Sequence, residues 1–325
     1  MAIGGFVWFP LSHKIGRSSA VFWSLFGLVY CQVWSGMMTG KDDYSRFLGS
    51  RFMSGFFGTV TGILGPRVLV DLFFLHQRGR AFTIFHYAFD FGTVAGPTLG
   101  AFVASAGSWT DAYWWTTALA GFALVVCFFF LHETAWNRSL GADSQAPPQG
   151  FLASRIATFF PGTKVTPYTS FIDTLKIGAR PFIVAVTPVT IFLSMFTLVS
   201  FGFYVAMNAI TPVWLQKPVK TGGYGFTSMQ NALFSFTHWV GISFALIYGQ
   251  LVSDRLPLYL CARNGGIWKP EYRLHALWIP ALIFNPIGLG LFGATLQNHW
   301  SWGVLAWAQI MVTFGSLSIT PITVK

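Results

Sequence analysis

Apolar residues in this chain come in runs of about twenty, the length that carries an α-helix across a hydrocarbon core of about 30 Å. No water inside such a core can satisfy a peptide N–H or C=O, so a run of this length is committed to helix. Runs are read at about 18–38, 47–70, 81–104, 112–131, 182–206, 228–252, 276–296 and 302–324, and 1–12 is a stub too short to cross alone. A water-soluble alternative fails on charge: 54% of the residues are hydrophobic and 9% charged, against about a quarter charged in an ordinary soluble domain. Thirty-four Gly, sixteen Pro and fourteen Trp accompany the runs; bilayer helices tolerate the first two and place the third at interfaces. The predicted fold class is all-α, a polytopic membrane helix bundle.

Basic residues decide orientation. Lys41, Arg46, Lys217 and Lys220 fall on one side and Arg51 lies inside a run, while the remaining basic residues, among them Lys14, Arg17, Arg67, Arg78, Arg80, Arg180 and Arg255, crowd the other. The crowded side is predicted to be cytosolic. The formal net charge of +10 therefore reflects topology. A nucleic-acid partner is excluded, because it would need these residues clustered on one polar face.

Residues 135–181 hold Pro147, Pro148, Pro161 and Pro167 among Ser and Gly, and are predicted to be a cytosolic linker between helical halves at 1–134 and 182–325. Asn137-Arg138-Ser139 matches a glycosylation sequon but would face the cytosol. Cys31, Cys127 and Cys261 form no CxxC pair and have no His at metal-ligand spacing, so neither disulfide nor metal is expected. The opening Met1–Leu11 lacks a basic leader and runs into Pro10, which argues against a cleavable signal peptide and reads as the second half of a helix. The halves echo one another, since Gly5 through Arg17 and Gly249 through Arg255 each close a run with a polar-basic turn. Two related halves about a linker are the expected build of an alternating-access carrier.

Three polar or small-residue patterns inside the runs carry the chemistry. Gly92, Gly96 and Gly100 recur every four residues beside Pro97, giving a smooth helix face and a bend; a plain packing face is the alternative. Arg51 sits a turn or more inside a run, where a charge costs several kcal/mol unless it pairs, faces water or snorkels to the outer interface. His86 and Asp90, four apart, share a face about 15 Å in from Arg80. A carboxylate beside an imidazole at that depth can take up and release a proton, or form a mutually satisfied structural pair. Tyr204, Asn208, Gln230, Asn231, His238 and Asn285, with Trp239 as an aromatic wall, are candidates to line a cavity or to bridge helices.

The segment Gly92-Thr93-Val94-Ala95-Gly96-Pro97-Thr98-Leu99-Gly100-Ala101 resembles the antiporter motif GxxxGPxxGG of the major facilitator superfamily, with Ala101 in place of the last Gly. Arg51, Gly55 and Gly58 resemble that family's RxxxGxxG segment, and His132-Glu133-Thr134 its PET sequence. The loop 264–274 is similar to the basic loop of fungal members. The resemblance is to fungal twelve-span drug:proton antiporters and implies a bundle of two pseudo-symmetric halves with Arg51 tied to proton coupling. It further implies a network locking the inward gate, from Arg17, Asp71, Arg78 and Arg80 in the first half and Asp254 and Arg255 in the second. His13 stands where the pattern GxxxDxxGR carries an Asp, and a neutral imidazole does not replace that carboxylate as an acceptor. By family numbering the first helix, most of the second and the last two are expected to be missing, so the bundle is expected to be incomplete.

The function these readings imply is proton-coupled export of a small organic compound, a drug or secondary metabolite. The expected setting is the plasma membrane, or else the vacuole, with the lipid bilayer and protons as partners and the protein monomeric. A proton entering down the potential supplies about 2.3 kcal/mol per 100 mV. Nutrient uptake by symport or uniport is the alternative, as is a non-functional carrier remnant. An enzyme is not expected, because the chain has no HExxH, histidine boxes or Gly-x-Ser-x-Gly elbow. No cofactor is expected.

Overall fold

Helix is the form the described residues take wherever the apolar runs predict it. The computed structural model describes residues 2–40, 42–135, 148–160, 171–253, 255–267 and 269–323. The helices are α1 (Ala2–Ile15), α2 (Arg17–Gly36), α3 (Tyr44–Gly58), α4 (Val60–Leu72), α5 (Leu75–Ala106), α6 (Asp111–Phe130), α7 (Phe151–Phe159), α8 (Phe171–Ala185), α9 (Pro188–Gln216), α10 (Ser228–Phe234), α11 (Phe236–Tyr248), α12 (Arg255–Arg263), α13 (Asn285–Gln297) and α14 (Trp302–Thr323). Gly249–Ser253 and Trp278–Phe284 are π-helical, and Pro270–Leu277 is 3-10.

Among the described residues six stretches are long and apolar enough to cross a bilayer: Tyr44–Leu72, Asp111–Phe130, Pro188–Gln216, Ser228–Arg263, Leu274–Gln297 and Trp302–Ile319. Of the eight runs read from sequence, those at 18–38 and 81–104 form helices but fall short of that apolarity. Helix α2 buries Ser18, Ser19, Ser24 and Ser35, and α5 buries Thr83, His86 and Asp90. The run read at 182–206 starts instead at Pro188. A proline has no N–H to give the carbonyl four residues back, so α8 ends at Ala185 and α9 begins with Pro188 in its first turn.

Helix α7 lies inside the polar stretch read as a linker, and α8 begins inside it. Helix α7 is nine residues long, too short to persist alone, and tertiary contacts hold it. The Phe159 carbonyl accepts from Ser19 Oγ at 2.9 Å and Trp23 Nε1 at 2.8 Å, and the Phe159 ring stacks on Phe22 at 4.5 Å. Arg155, on the same helix, is buried and donates to the Leu131 carbonyl at 2.7 Å. The sequon and Pro147, Pro161 and Pro167 lie outside the described residues.

The chain forms two compact units. The first comprises residues 1–78 and 106–186, the second residues 79–105 and 187–325. In the first, Trp8, Ala20, Val60 and Leu64 form the buried centre, and Ser35 Oγ meets Ser50 Oγ at 2.8 Å to fix α2 on α3. In the second, α14 is the central helix: Leu305, Ala308, Val312 and Leu317 are buried against Tyr204, Met207, Ile242 and Phe292. Helices come close there because glycines stand at the crossings. A Cβ at Gly241 would lie 2.7 Å from Thr313 Cβ, and one at Gly288 would lie 2.8 Å from Val312 Cγ2.

Candidate functional site

The charged end of the first unit is built on the start of α2. Gly16, at φ 93°, turns the chain from α1 into α2, and a Cβ at that position would collide with the Glu133 carboxylate. Glu133 Oε1 accepts from the backbone N–H of Arg17 at 3.0 Å, Thr134 at 3.0 Å and Ala135 at 2.9 Å. It therefore closes an otherwise open helix N-terminus with a negative charge. Burial pushes the Glu133 carboxyl above its ordinary value, and these N–H donors pull it back down. Arg17 forms an ion pair with Asp71.

The other residues expected in the gate network are more dispersed. Arg78 donates to the Phe73 carbonyl at 3.1 Å and the Val70 carbonyl at 2.8 Å, which covers the free carbonyls at the end of α4. Arg80 and Arg255 are exposed, and Asp254 lies outside the described residues. His13 accepts a hydrogen bond through Nε2 from the Arg67 guanidinium. An arginine can only donate, so that nitrogen carries no proton and the imidazole is neutral. Arg51, exposed on α3, reaches Gln32 Oε1 of α2 at 3.5 Å and lies 5.3 Å from the Tyr113 ring centroid of α6.

In the second unit α5 presents one buried stripe. His86 is 5% exposed, Asp90 3%, Val94 3% and Thr98 0%, spaced four apart so that they share a face. Thr98 Oγ1 accepts from Trp239 Nε1 at 3.1 Å, and the Trp239 ring meets Phe91 edge-on at 4.9 Å, which locks α5 to α11. Beside Asp90, a cavity of about 20 Å³ is lined by Thr83, Tyr87, Ile242, Ala245 and Gly249, room for a single water. Among the described residues no cation lies within ion-pair distance of Asp90. The glycine ridge points elsewhere: Gly92, Gly96 and Pro97 are exposed, and among the described residues no other helix comes within 4 Å of a Cβ built on Gly92 or Gly96.

The cavity candidates divide in the same way. Tyr204 and His238 are buried and their rings meet edge-on at 5.7 Å. His238 Nε2 accepts from the Gln309 side-chain amide, so its proton sits on Nδ1 and is donated to Thr313 Oγ1 at 2.7 Å. Asn208 lies one turn beyond Tyr204 and is half-buried. Asn231 is buried, and Gln230 exchanges hydrogen bonds with Thr227 to cap α10. Sequence reasoning missed Gln309 and Thr313. A lone amide in a run otherwise apolar was the available signal, because a Gln buried there needs a partner. Among the described residues buried Gln309 Oε1 and Asn285 Oδ1 have no hydrogen-bond partner, which leaves acceptors for a ligand or water.

A family model described as Major Facilitator Superfamily matches residues 1–324. The chain is 25% identical to the uncharacterized transporter mfc1 of Schizosaccharomyces pombe, over 98% of this chain and 66% of that protein. It is 23% identical to the efflux pump radE of Floropilus chiversii, over 97% of this chain and 56% of the relative. It is likewise 23% identical to the efflux pump FUBT of Fusarium oxysporum, over 97% and 52%. The chain thus spans between 52% and 66% of the length of these three relatives. The Escherichia coli xylose transporter XylE, in a partially occluded inward-open conformation, superposes with a TM-score of 0.64 at 16% identity, over 98% of this chain and 70% of XylE.

Proposed function

We propose that this chain, which belongs to the Major Facilitator Superfamily, moves a small organic compound out of the cytosol in exchange for protons by alternating access. The observation that carries the proposal is Asp90. A carboxylate 3% exposed, on a membrane-length helix and beside a water-sized cavity, is costly unless its protonation is part of the work. His86, one turn away, and the neutral His238–Gln309–Thr313 set offer polar groups on the same unit. Arg51 is the coupling cation on the other unit. The direction of export is supported by two relatives described as efflux pumps. The aromatic character of the second unit, with Tyr204, Trp239 and Phe91 around the buried histidine and α5, suits an aromatic, not strongly anionic substrate. The protein is expected to act as a monomer, in the plasma membrane or the vacuole.

Flux direction tests the proposal. The chain is reconstituted into liposomes and rhodamine 6G, an aromatic cation, is added outside. An exchanger accumulates the dye faster than protein-free vesicles when the lumen is acid, because protons leave as dye enters. Accumulation only when the outside is acid would instead make the protein an uptake symporter, and indifference to the gradient would make it a uniporter.

A further inference from the structure

Helices α1, α4 and α8 of the first unit enclose a cleft of about 540 Å³. Its walls are apolar: Phe6 and Phe9 on α1, Ile63 on α4 and Pro181 on α8. The Phe6 ring stacks on Phe182 of α8 at 4.4 Å. The missing side chain of Gly178 brings α8 so near that a Cβ there would lie 3.5 Å from Pro10. One helical turn beyond these walls the apolar surface stops on both long elements. Phe9 is followed four residues on by His13, and Ile63 by Arg67, so both polar groups stand at the same end of the cleft.

That end is positively charged and short of anions. The Arg67 guanidinium lies 5.4 Å from the Phe9 ring centroid while bonding His13, so it sits at the mouth of the apolar walls. Arg180 of α8 is exposed and near enough to act on His13 electrostatically. The nearby carboxylates are already engaged: Asp71 is paired with Arg17, and Glu133 accepts from the backbone N–H groups of Arg17, Thr134 and Ala135. Among the described residues no Asp or Glu forms an ion pair with Arg67 or Arg180. The distribution of basic loops assigns this end to the cytosolic face, where bilayers carry their anionic lipids.

We propose that the cleft binds an acyl chain of an anionic phospholipid of the cytosolic leaflet, with the head-group phosphate held by Arg67 and Arg180. A guanidinium matches phosphate oxygens in a fork, which a neutral or cationic head group cannot use. A free phosphate would satisfy the arginines but leave the apolar walls empty, so tail and head are both required. The site lies within one unit and stands whether or not the protein exports anything.

The test is native mass spectrometry of the full chain in detergent, titrated with palmitoyl-oleoyl phosphatidylserine or with the phosphatidylcholine of the same chains. One phosphatidylserine is retained in preference to phosphatidylcholine. Arg67→Gln combined with Arg180→Gln weakens it about 30-fold, from about 1 kcal/mol per cation. Gly178→Leu, which fills the cleft and keeps both charges, weakens it as well, and each variant's melting curve reports whether it is folded. Equal retention of the two lipids, an unchanged titration in the folded Gly178→Leu protein, or displacement of the lipid by inorganic phosphate would overturn the proposal. So would a chain that retains no phospholipid, as when a further protein segment fills the cleft.

Discussion

His13 stands where the resembling motif carries an aspartate, and its surroundings fix what the exchange does. Burial first, then the charges of Arg67, Arg17 and Arg180, lower its pKa from 6.5 to about 4. The unfolded chain therefore takes up a proton between those values while the folded one does not. His13 contributes stability that is fully present above about pH 6.5 and is lost as the pH falls towards 4. Replacing it with a carboxylate places a negative charge among three guanidinium groups. His13→Asp is expected to flatten that acid limb and to raise the apparent melting temperature at pH 5 relative to the parent, measured in one detergent at pH 7 and pH 5. An equal fall in both proteins would mean that His13 is not what titrates. At this scale Arg17 and Asp71 were legible as charges of one expected network but not as a pair, and the two form an ion pair. It did not make Glu133 legible as the cap of α2, since that contact joins residues 116 apart and depends on where α6 ends.

Glycine content alone does not say which helix faces are in contact. The ridge of Gly92 and Gly96 reads as a packing face, yet it is exposed, because the stripe His86, Asp90, Val94 and Thr98 occupies the buried side of α5. Close approach in the second unit occurs instead at Gly241 and Gly288, both against α14. Gly241→Ala is expected to destabilise by about 1–3 kcal/mol, as added core volume does. Gly96→Ala is expected to be neutral, or stabilising by up to about 1 kcal/mol through helix propensity. Thermal melts of the two variants side by side check the contrast. Helix α7 was illegible for a related reason. Nine residues carry too little periodicity to read, and the carbonyl of Phe159 finds its donors, Ser19 and Trp23, on α2.

For the whole molecule, the length of the apolar runs was enough to read an all-helical membrane chain, because about twenty apolar residues match a spanning helix, whereas a barrel strand needs about ten. The boundary at Pro188 was missed, because apolar residues continue from 182 across the break and hide it. The polarity of α2 and α5 was not readable as burial, because serines and an aspartate in an apolar run look alike whether they face protein or lipid. The site divides likewise. Asp90 stood out as a carboxylate at membrane depth, whereas Gln309 and Thr313 acquire meaning only beside His238. The proposed exchange turns on Asp90 carrying the coupled proton, and dye transport by Asp90→Asn protein in liposomes is the decisive measurement. The variant is expected to lose accumulation driven by an acid lumen while rhodamine 6G still exchanges across the membrane down its own gradient. Undiminished proton-driven accumulation by that variant would contradict it.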